Sequence, residues 1–117
     1  MIKISLDESY VFDLLSIYDV KIDCSLDADK RDKLIQSYSK LQFEIIESIG
    51  EKLFDSIISS NEYKELKKSN KLVFDLVDRA NETELSKLTA DANYMRYLNK
   101  IELQQTYFNT ELTEVKL

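Results

Sequence analysis

Apolar side chains recur every three or four residues along most of the chain, the spacing that places them on one side of an α-helix. The pattern predicts four helices, separated by polar segments near residues 24–27, 59–62 and 80–83. The first helix is expected over about residues 6–23. Its apolar side is formed by Val11, Leu14, Leu15, Tyr18 and Ile22.

The second helix should begin near Asp27 or Ala28 and continue to about residue 59. Apolar residues keep one helical phase across Gly50, and a glycine inside a helix costs only about 1 kcal/mol relative to alanine. We therefore predict one long helix; the alternative is that Gly50 ends it as a C-terminal stop. The apolar side comprises Leu34, Ile35, Tyr38, Leu41, Ile45, Ile46, Ile49, Leu53 and Ile57.

Capping signals indicate where helices begin. Segments 5–8, 59–62 and 81–84 each place a serine or asparagine three positions before a glutamate, which is the spacing of a capping box. The third helix should run over about residues 60–81 and the fourth over about residues 82–109. The apolar side of the third helix contains Tyr63, Leu66, Val73, Phe74, Val77 and Ala80.

The fourth predicted helix is apolar on two sides. One side carries Leu85, Leu88, Ala92 and Met95, and the other carries Tyr94, Tyr97, Leu98, Ile101 and Phe108. Because four helices in 117 residues can hardly surround one of their number, the second side predicts an interface and a homo-oligomer. The alternative is that this side packs on the first helix.

These elements predict a single all-α domain over residues 1–117, a four-helix antiparallel bundle or pair of hairpins with two long helices. Residues 1–5 should form a short arm and residues 110–117 a frayed tail. The composition agrees, since the chain has one glycine and no proline, the residues on which tight β-turns depend.

Charge and cysteine content narrow the setting. Sixteen Lys and Arg against 22 Asp and Glu give a net charge of −6. An acidic chain is repelled by a phosphate backbone, so we do not expect nucleic acid as the main partner. No apolar run approaches the roughly 20 residues of a membrane span. A single cysteine, Cys24, permits no internal disulfide, so we predict a soluble cytoplasmic protein.

The absence of histidine limits the available chemistry, because histidine is the commonest metal ligand and the commonest general base near neutral pH. We expect no catalytic residue, no cofactor and no metal. The sequence therefore predicts a non-enzymatic interaction or structural protein that works through helix surfaces, with itself or another protein as partner.

Paired carboxylates suggest an enzymatic alternative. Glu44 and Glu47, followed by Asp75 and Asp78, resemble the Glu-x-x-Glu and Glu-x-x-Asp pattern of all-α nucleoside-triphosphate pyrophosphohydrolases of the MazG type. The resemblance implies Mg²⁺ held by these carboxylates on a triphosphate. The second pair begins with Asp where the family has Glu. Glu44 and Glu47 also fall outside the apolar side of their helix.

A basic patch lies on the third predicted helix. It consists of Lys64, Lys67, Lys68 and Lys71, which fall within about 100° of one another around the helix. The patch could meet phosphate, as in a weak nucleic-acid-binding accessory protein, or it could meet an acidic partner or the protein's own acidic first half. Its plainest interpretation is a solvated helix face.

The final third of the chain resembles small uncharacterised helical proteins of marine T4-like bacteriophages. The likeness lies in segments 93–100 and 103–108, with a contribution from 74–78, and it covers residues 43–108. It implies a viral protein that acts in a bacterial host cytoplasm or in the virion. It implies no particular activity.

Overall fold

The computed structural model describes residue 2 and residues 4–78 and 83–112; the side chains at positions 78 and 83–86 lie outside the description. Within these ranges the protein contains helices and no β-strand, so the all-α prediction is confirmed. The five helices are α1 (Glu8–Cys24), α2 (Ala28–Ile49), α3 (Glu51–Ile58), α4 (Asn61–Asp78) and α5 (Thr83–Phe108).

The helical conformation is interrupted at Gly50. The prediction of one continuous second helix is therefore wrong, and so is the predicted count of four helices. Gly50 has φ 90° and ψ 153°, a conformation that is essentially closed to residues with a Cβ. Hydrogen bonds of helical spacing remain on both sides: the Gly50 N–H donates to Ile46 O, and the Phe54 N–H donates to Gly50 O. The helix therefore restarts at once, and its apolar side still reaches the core.

The helix starts follow the capping signals only in part. Asp27 caps α2, whose start is predicted near this residue, since its carboxylate accepts the N–H groups of Asp29 and Lys30. α4 is capped by Ser60, which accepts the Tyr63 N–H at 3.1 Å, one residue later than the predicted box. The box at 5–8 does not form, because α1 begins only at Glu8. The predicted cap at 81–84 lies outside the described side chains.

The hydrophobic core centres on Phe12 of α1. Its ring lies 6.1 Å from that of Phe54, 6.4 Å from that of Tyr63 and 6.4 Å from that of Phe108, all measured between centroids. The fully or almost fully buried members are Phe12, Leu15, Ile45, Phe54, Ile57, Tyr63, Leu66 and Leu103. Four helices and the end of α5 therefore share one core.

The first helix, α1, packs against α2, α4 and α5. Its buried residues are Ser9, Phe12, Asp13, Leu15, Ser16 and Val20. The apolar stripe predicted from the sequence is therefore wrong in part, and Leu14 is 38% exposed. The buried side includes three polar residues, which are hydrogen-bonded to side chains of α4 and α5.

The three buried polar residues of α1 are Ser9, Asp13 and Ser16. They are spaced four and three residues apart, which puts them on one side of the helix. α5 runs antiparallel to both α1 and α4, because Gln104 contacts the start of α1 while Arg96 contacts its middle, and Asn99 and Tyr107 reach progressively earlier turns of α4. The buried polar side of α1 thus meets α5.

Among the described residues, no helix has the length and apolarity that crossing a bilayer requires.

Candidate functional site

A buried polar network joins α1, α4 and α5. At its centre is Asp13, which is 2% exposed although it carries a carboxylate. Arg96 binds both of its oxygens: Nε donates to Oδ1 at 3.0 Å and to Oδ2 at 3.2 Å, and Nη2 donates to Oδ2 at 2.5 Å. From α4, Asn70 Nδ2 donates to Asp13 Oδ1 at 2.8 Å and to Ser16 Oγ at 2.7 Å.

The geometry of this network is that of a structural cross-link. The two oxygens of Asp13 already accept hydrogen bonds from two side chains, and the charge of Arg96 balances that of the carboxylate. A buried charge is tolerated only when it is paired and hydrogen-bonded in this way. We therefore assign Asp13 to holding three helices in register and not to proton transfer.

Gln104 makes a second cross-link, between the start of α1 and the end of α5. Its side chain is fully buried, and its Oε1 accepts the Ser9 N–H at 2.8 Å. Its Nε2 donates to Glu8 Oε2 at 2.6 Å and to Thr110 Oγ1 at 2.8 Å. The first turn of a helix has N–H groups without helical partners, so Gln104 supplies from α5 a cap that residues 5–8 do not form.

The basic patch is partly neutralised by the protein itself. Lys67 Nζ lies 2.9 Å from Asp23 Oδ2 and 3.5 Å from Asp19 Oδ2, both on α1. Lys71 Nζ lies 2.6 Å from Asp75 Oδ1. Of the four predicted lysines, Lys64, Lys68 and Lys71 are exposed. Contact with the acidic first half, one of the interpretations left open by the sequence, is thus realised by Lys67.

The charge of Asp19 also acts on two tyrosines. The Tyr63 hydroxyl donates to Asp19 Oδ2 at 3.3 Å. Burial, followed by the nearby charge of Asp19, raises the pKa of Tyr63 far above its ordinary value, and the same two causes raise the pKa of Tyr38. For Lys67, burial lowers the pKa, but the hydrogen bond to Asp23 and the charge of Asp19 outweigh it, so that the net pKa is raised.

Alkaline pH should therefore destabilise the protein. A raised pKa means that the folded state holds the proton more tightly, so this stability is complete below the ordinary tyrosine pKa of about 10 and is lost as the pH rises above it. We expect a loss of up to about 1.4 kcal/mol per pH unit above 10 for Tyr63 alone. Urea unfolding between about pH 8 and pH 11 measures it. In Tyr63→Phe, which cannot ionise, the decline should be shallower; an equal decline would assign the effect to other groups.

The structure separates the carboxylates of the hydrolase alternative. Glu44 and Glu47 lie on the exposed surface of α2, and Glu44 lines a groove between α1 and α2. Asp75 pairs with Lys71 and lines a different groove, between α4 and α5. The side chain of Asp78 lies outside the described part. Within that part, no group of three or more acidic, cysteine or histidine side chains is arranged to hold a metal.

The predicted interface on the last helix divides into two parts. Tyr94 and Leu98 are 53% and 39% exposed, and Tyr97 and Ile101 are half-buried beside them. Phe108 instead packs against the core through Phe12. We call Tyr94, Tyr97, Leu98 and Ile101 the α5 flank. The core-facing positions of α5 are taken by other residues: Ala92, Arg96, Lys100, Leu103 and Gln104.

An exposed apolar part of α1 lies next to α5. The Lys100 Nζ of α5 lies 5.5 Å from the centroid of the Tyr10 ring, which fixes this side of α1 next to α5. Tyr10 and Leu14, one helical turn apart, are 44% and 38% exposed. The rings of Tyr94 and Tyr97 lie 6.4 Å apart between centroids. The neighbouring helices α1 and α5 therefore each carry exposed apolar side chains.

Comparison with known proteins yields no family: no protein-family model, curated protein or solved structure matches the chain. The resemblance to bacteriophage proteins stays a prediction. The surfaces of the protein itself therefore provide the evidence on function.

Proposed function

We propose that the protein is a non-enzymatic helical interaction protein that associates with a second copy of itself through the α5 flank. The observation that carries the proposal is the exposure of Tyr94 and Leu98, one helical turn apart, beside half-buried Tyr97 and Ile101. Contiguous exposed apolar surface of this kind marks interaction sites in soluble proteins.

The residue types of the α5 flank favour an interface. Tyrosine is enriched in interfaces because its ring is buried while its hydroxyl reaches water or a polar rim. Complete burial of a large apolar side chain contributes about 1.5–3 kcal/mol, and the partly exposed side chains here would each contribute less. A two-fold contact uses the same surface on both copies, which doubles that contribution against the cost of association.

The buried polar network that joins α1, α4 and α5 supports the same function. The ion pair of Asp13 and Arg96 joins α1, which carries Tyr10 and Leu14, to α5, which carries the α5 flank, and so fixes the two helices relative to each other. A surface that is ordered before binding loses less conformational entropy when it associates. We assign the buried network this supporting role.

Two glutamates on the α5 flank should abolish self-association. We expect the wild type to sediment as a dimer at micromolar concentration, and Tyr94→Glu together with Leu98→Glu to weaken association at least about tenfold, because two charges would be buried without partners. Sedimentation velocity over a concentration series measures this, with circular dichroism to confirm unchanged helix content. Both residues are exposed, so the fold should tolerate the change.

Met95→Glu is the matched control. Met95 is 52% exposed, almost the same as Tyr94, but it lines the groove beside α4 and not the α5 flank. It should leave association unchanged. A wild-type protein that stays monomeric at high micromolar concentration would refute self-association, and an equal effect of Met95→Glu would move the interface elsewhere.

The cellular setting follows from the resemblance of the final third of the chain. We propose that the protein acts in a bacterial host cytoplasm or in a virion, where a helical self-associating protein serves as an adaptor, a virion component or an inhibitor of host machinery.

A further inference from the structure

A second apolar surface lies on the other side of α1, in a groove between the start of α1 and the end of α2. Its volume is about 330 Å³. The core residues Phe12 and Ile45 form its floor, and Val11, Leu41 and Ile49 are half-buried along its walls. The remaining lining residues are Leu6, Glu8, Glu44 and Ser48.

We propose that this groove, here called the α1–α2 groove, binds a basic amphipathic helix of another protein. The partner helix carries an apolar stripe that is flanked by lysine or arginine residues. This interaction is separate from self-association, because the groove contains no residue of the α5 flank.

The spacing of the lining residues favours a helical occupant. α2 contributes Leu41, Ile45 and Ile49, each one turn from the next, and α1 contributes Glu8, Val11 and Phe12 over a single turn. Two adjacent helices that each present an apolar stripe leave a furrow into which the side-chain ridge of a third helix packs. The occupant would complete a local three-helix arrangement.

The charges of the groove favour a basic occupant. Its lining includes two carboxylates, those of Glu8 and Glu44, and no lysine or arginine. Glu8 accepts a hydrogen bond from neutral Gln104, which leaves its charge in place. Among the described residues, no ion pair involves Glu44. A second copy of this chain is a poorer occupant, because its net charge of −6 opposes an acidic rim.

Binding of designed peptides to the full chain tests the proposal. The probe is a fluorescein-labelled peptide of about 18 residues, roughly five helical turns, with a leucine stripe flanked by lysines. The comparison peptide has the same leucine stripe flanked by glutamates. We expect saturable binding of the lysine peptide, measured by fluorescence anisotropy, and at least about tenfold weaker binding of the glutamate peptide.

Two substitutions in the groove should change this binding. Glu44→Lys should weaken the lysine peptide about tenfold and strengthen the glutamate peptide, because it reverses the charge of the rim. Ser48→Trp should weaken both peptides by filling the groove, and it removes no core side chain, since Ser48 is exposed. Neither change removes a buried residue, so both variants should keep the wild-type helix content.

Asp32→Lys is the matched control for charge. Asp32 is an exposed residue of α2, about 18 Å along the helix from Glu44. The substitution changes the net charge by the same amount as Glu44→Lys and should leave binding unchanged. An equal loss with Asp32→Lys would reduce the interaction to non-specific attraction, and unchanged binding in Ser48→Trp would place the peptide elsewhere. Loss of self-association in Ser48→Trp would make a second copy the occupant. Any of these three results overturns the proposal.

Discussion

Replacing Asp13 with alanine should lower the free energy of unfolding by about 3–5 kcal/mol. Asp13 is 2% exposed, and its removal leaves the guanidinium of Arg96 and the amide of Asn70 without the acceptor that both of them use. The loss would be a large part of the 5–15 kcal/mol that typically stabilises a domain. Urea unfolding followed by circular dichroism measures it.

The double variant Asp13→Ala with Arg96→Met separates the loss of the ion pair from the cost of leaving the charge of Arg96 without Asp13. Removing both charges should recover much of the stability, because a buried ion pair replaced by apolar groups is often nearly neutral. If Asp13→Ala costs less than about 1 kcal/mol, or if the double variant is as unstable as the sum of the single variants, the network does not hold the helices as we describe.

The same ion pair links stability to self-association. If Asp13 and Arg96 hold α1 against α5, the double variant should fold and yet associate more weakly than the wild type, because its apolar surface is less well ordered. The sedimentation experiment designed for the α5 flank reads this out directly. A double variant that associates as tightly as the wild type would show that the network contributes to folding alone.

The sequence predicts where the helices lie better than it predicts which residues of α1 are buried. The difference has a physical reason. Periodicity assigns apolar residues to the core, whereas α1 buries Asp13 and Ser16 among them. Their partner Asn70 is 57 residues from Asp13, and Arg96 is 83 residues from it. Hydrogen bonding across such distances leaves no local signal. The one available clue is that Ser9, Asp13 and Ser16 share a side of the helix with Phe12.

Buried polar residues also explain why the sequence predicts two apolar sides for the last helix. α5 faces the core with Arg96, Lys100 and Gln104, and its apolar residues lie on either side of that polar strip. A helix that buries polar residues therefore looks as though it had two separate apolar faces. The exposure of Tyr94 and Leu98 fits the predicted interface, and the packing of Phe108 on the core removes it from that surface.

The sequence does not predict the α1–α2 groove, although it predicts apolar sides of the two helices that contribute residues to it. The periodicity places Leu41, Ile45 and Ile49 on the apolar side of α2 and Glu44 outside it. The groove lies between the start of α1 and the end of α2, and among the described residues it is lined only by these two helices and Leu6. Which helices lie beside one another is a property of the folded protein, and local periodicity carries no information about it.

Replacing Gly50 with alanine should lower the free energy of unfolding by about 1–3 kcal/mol, because the observed backbone conformation is nearly exclusive to glycine. A Cβ at this position would meet no atom within 4 Å, so the cost comes from the backbone and not from a clash. The matched control is D-alanine at the same position, introduced by peptide ligation, since a D-residue adopts positive φ freely. It should keep or raise the stability, by limiting the unfolded chain.

The alternative result is informative, because the apolar phase of α2 continues into α3. Gly50→Ala could relieve its strain by fusing the two helices, which would restore helical hydrogen bonds at the break. Fusion would also change the direction of α3 and draw Phe54 and Ile57, both 0% exposed, away from the core around Phe12. Loss of two large buried side chains costs more than a few exposed hydrogen bonds return. We therefore expect lower stability with unchanged helix content, and a variant that gains both helicity and stability would show that the break is not imposed by the core.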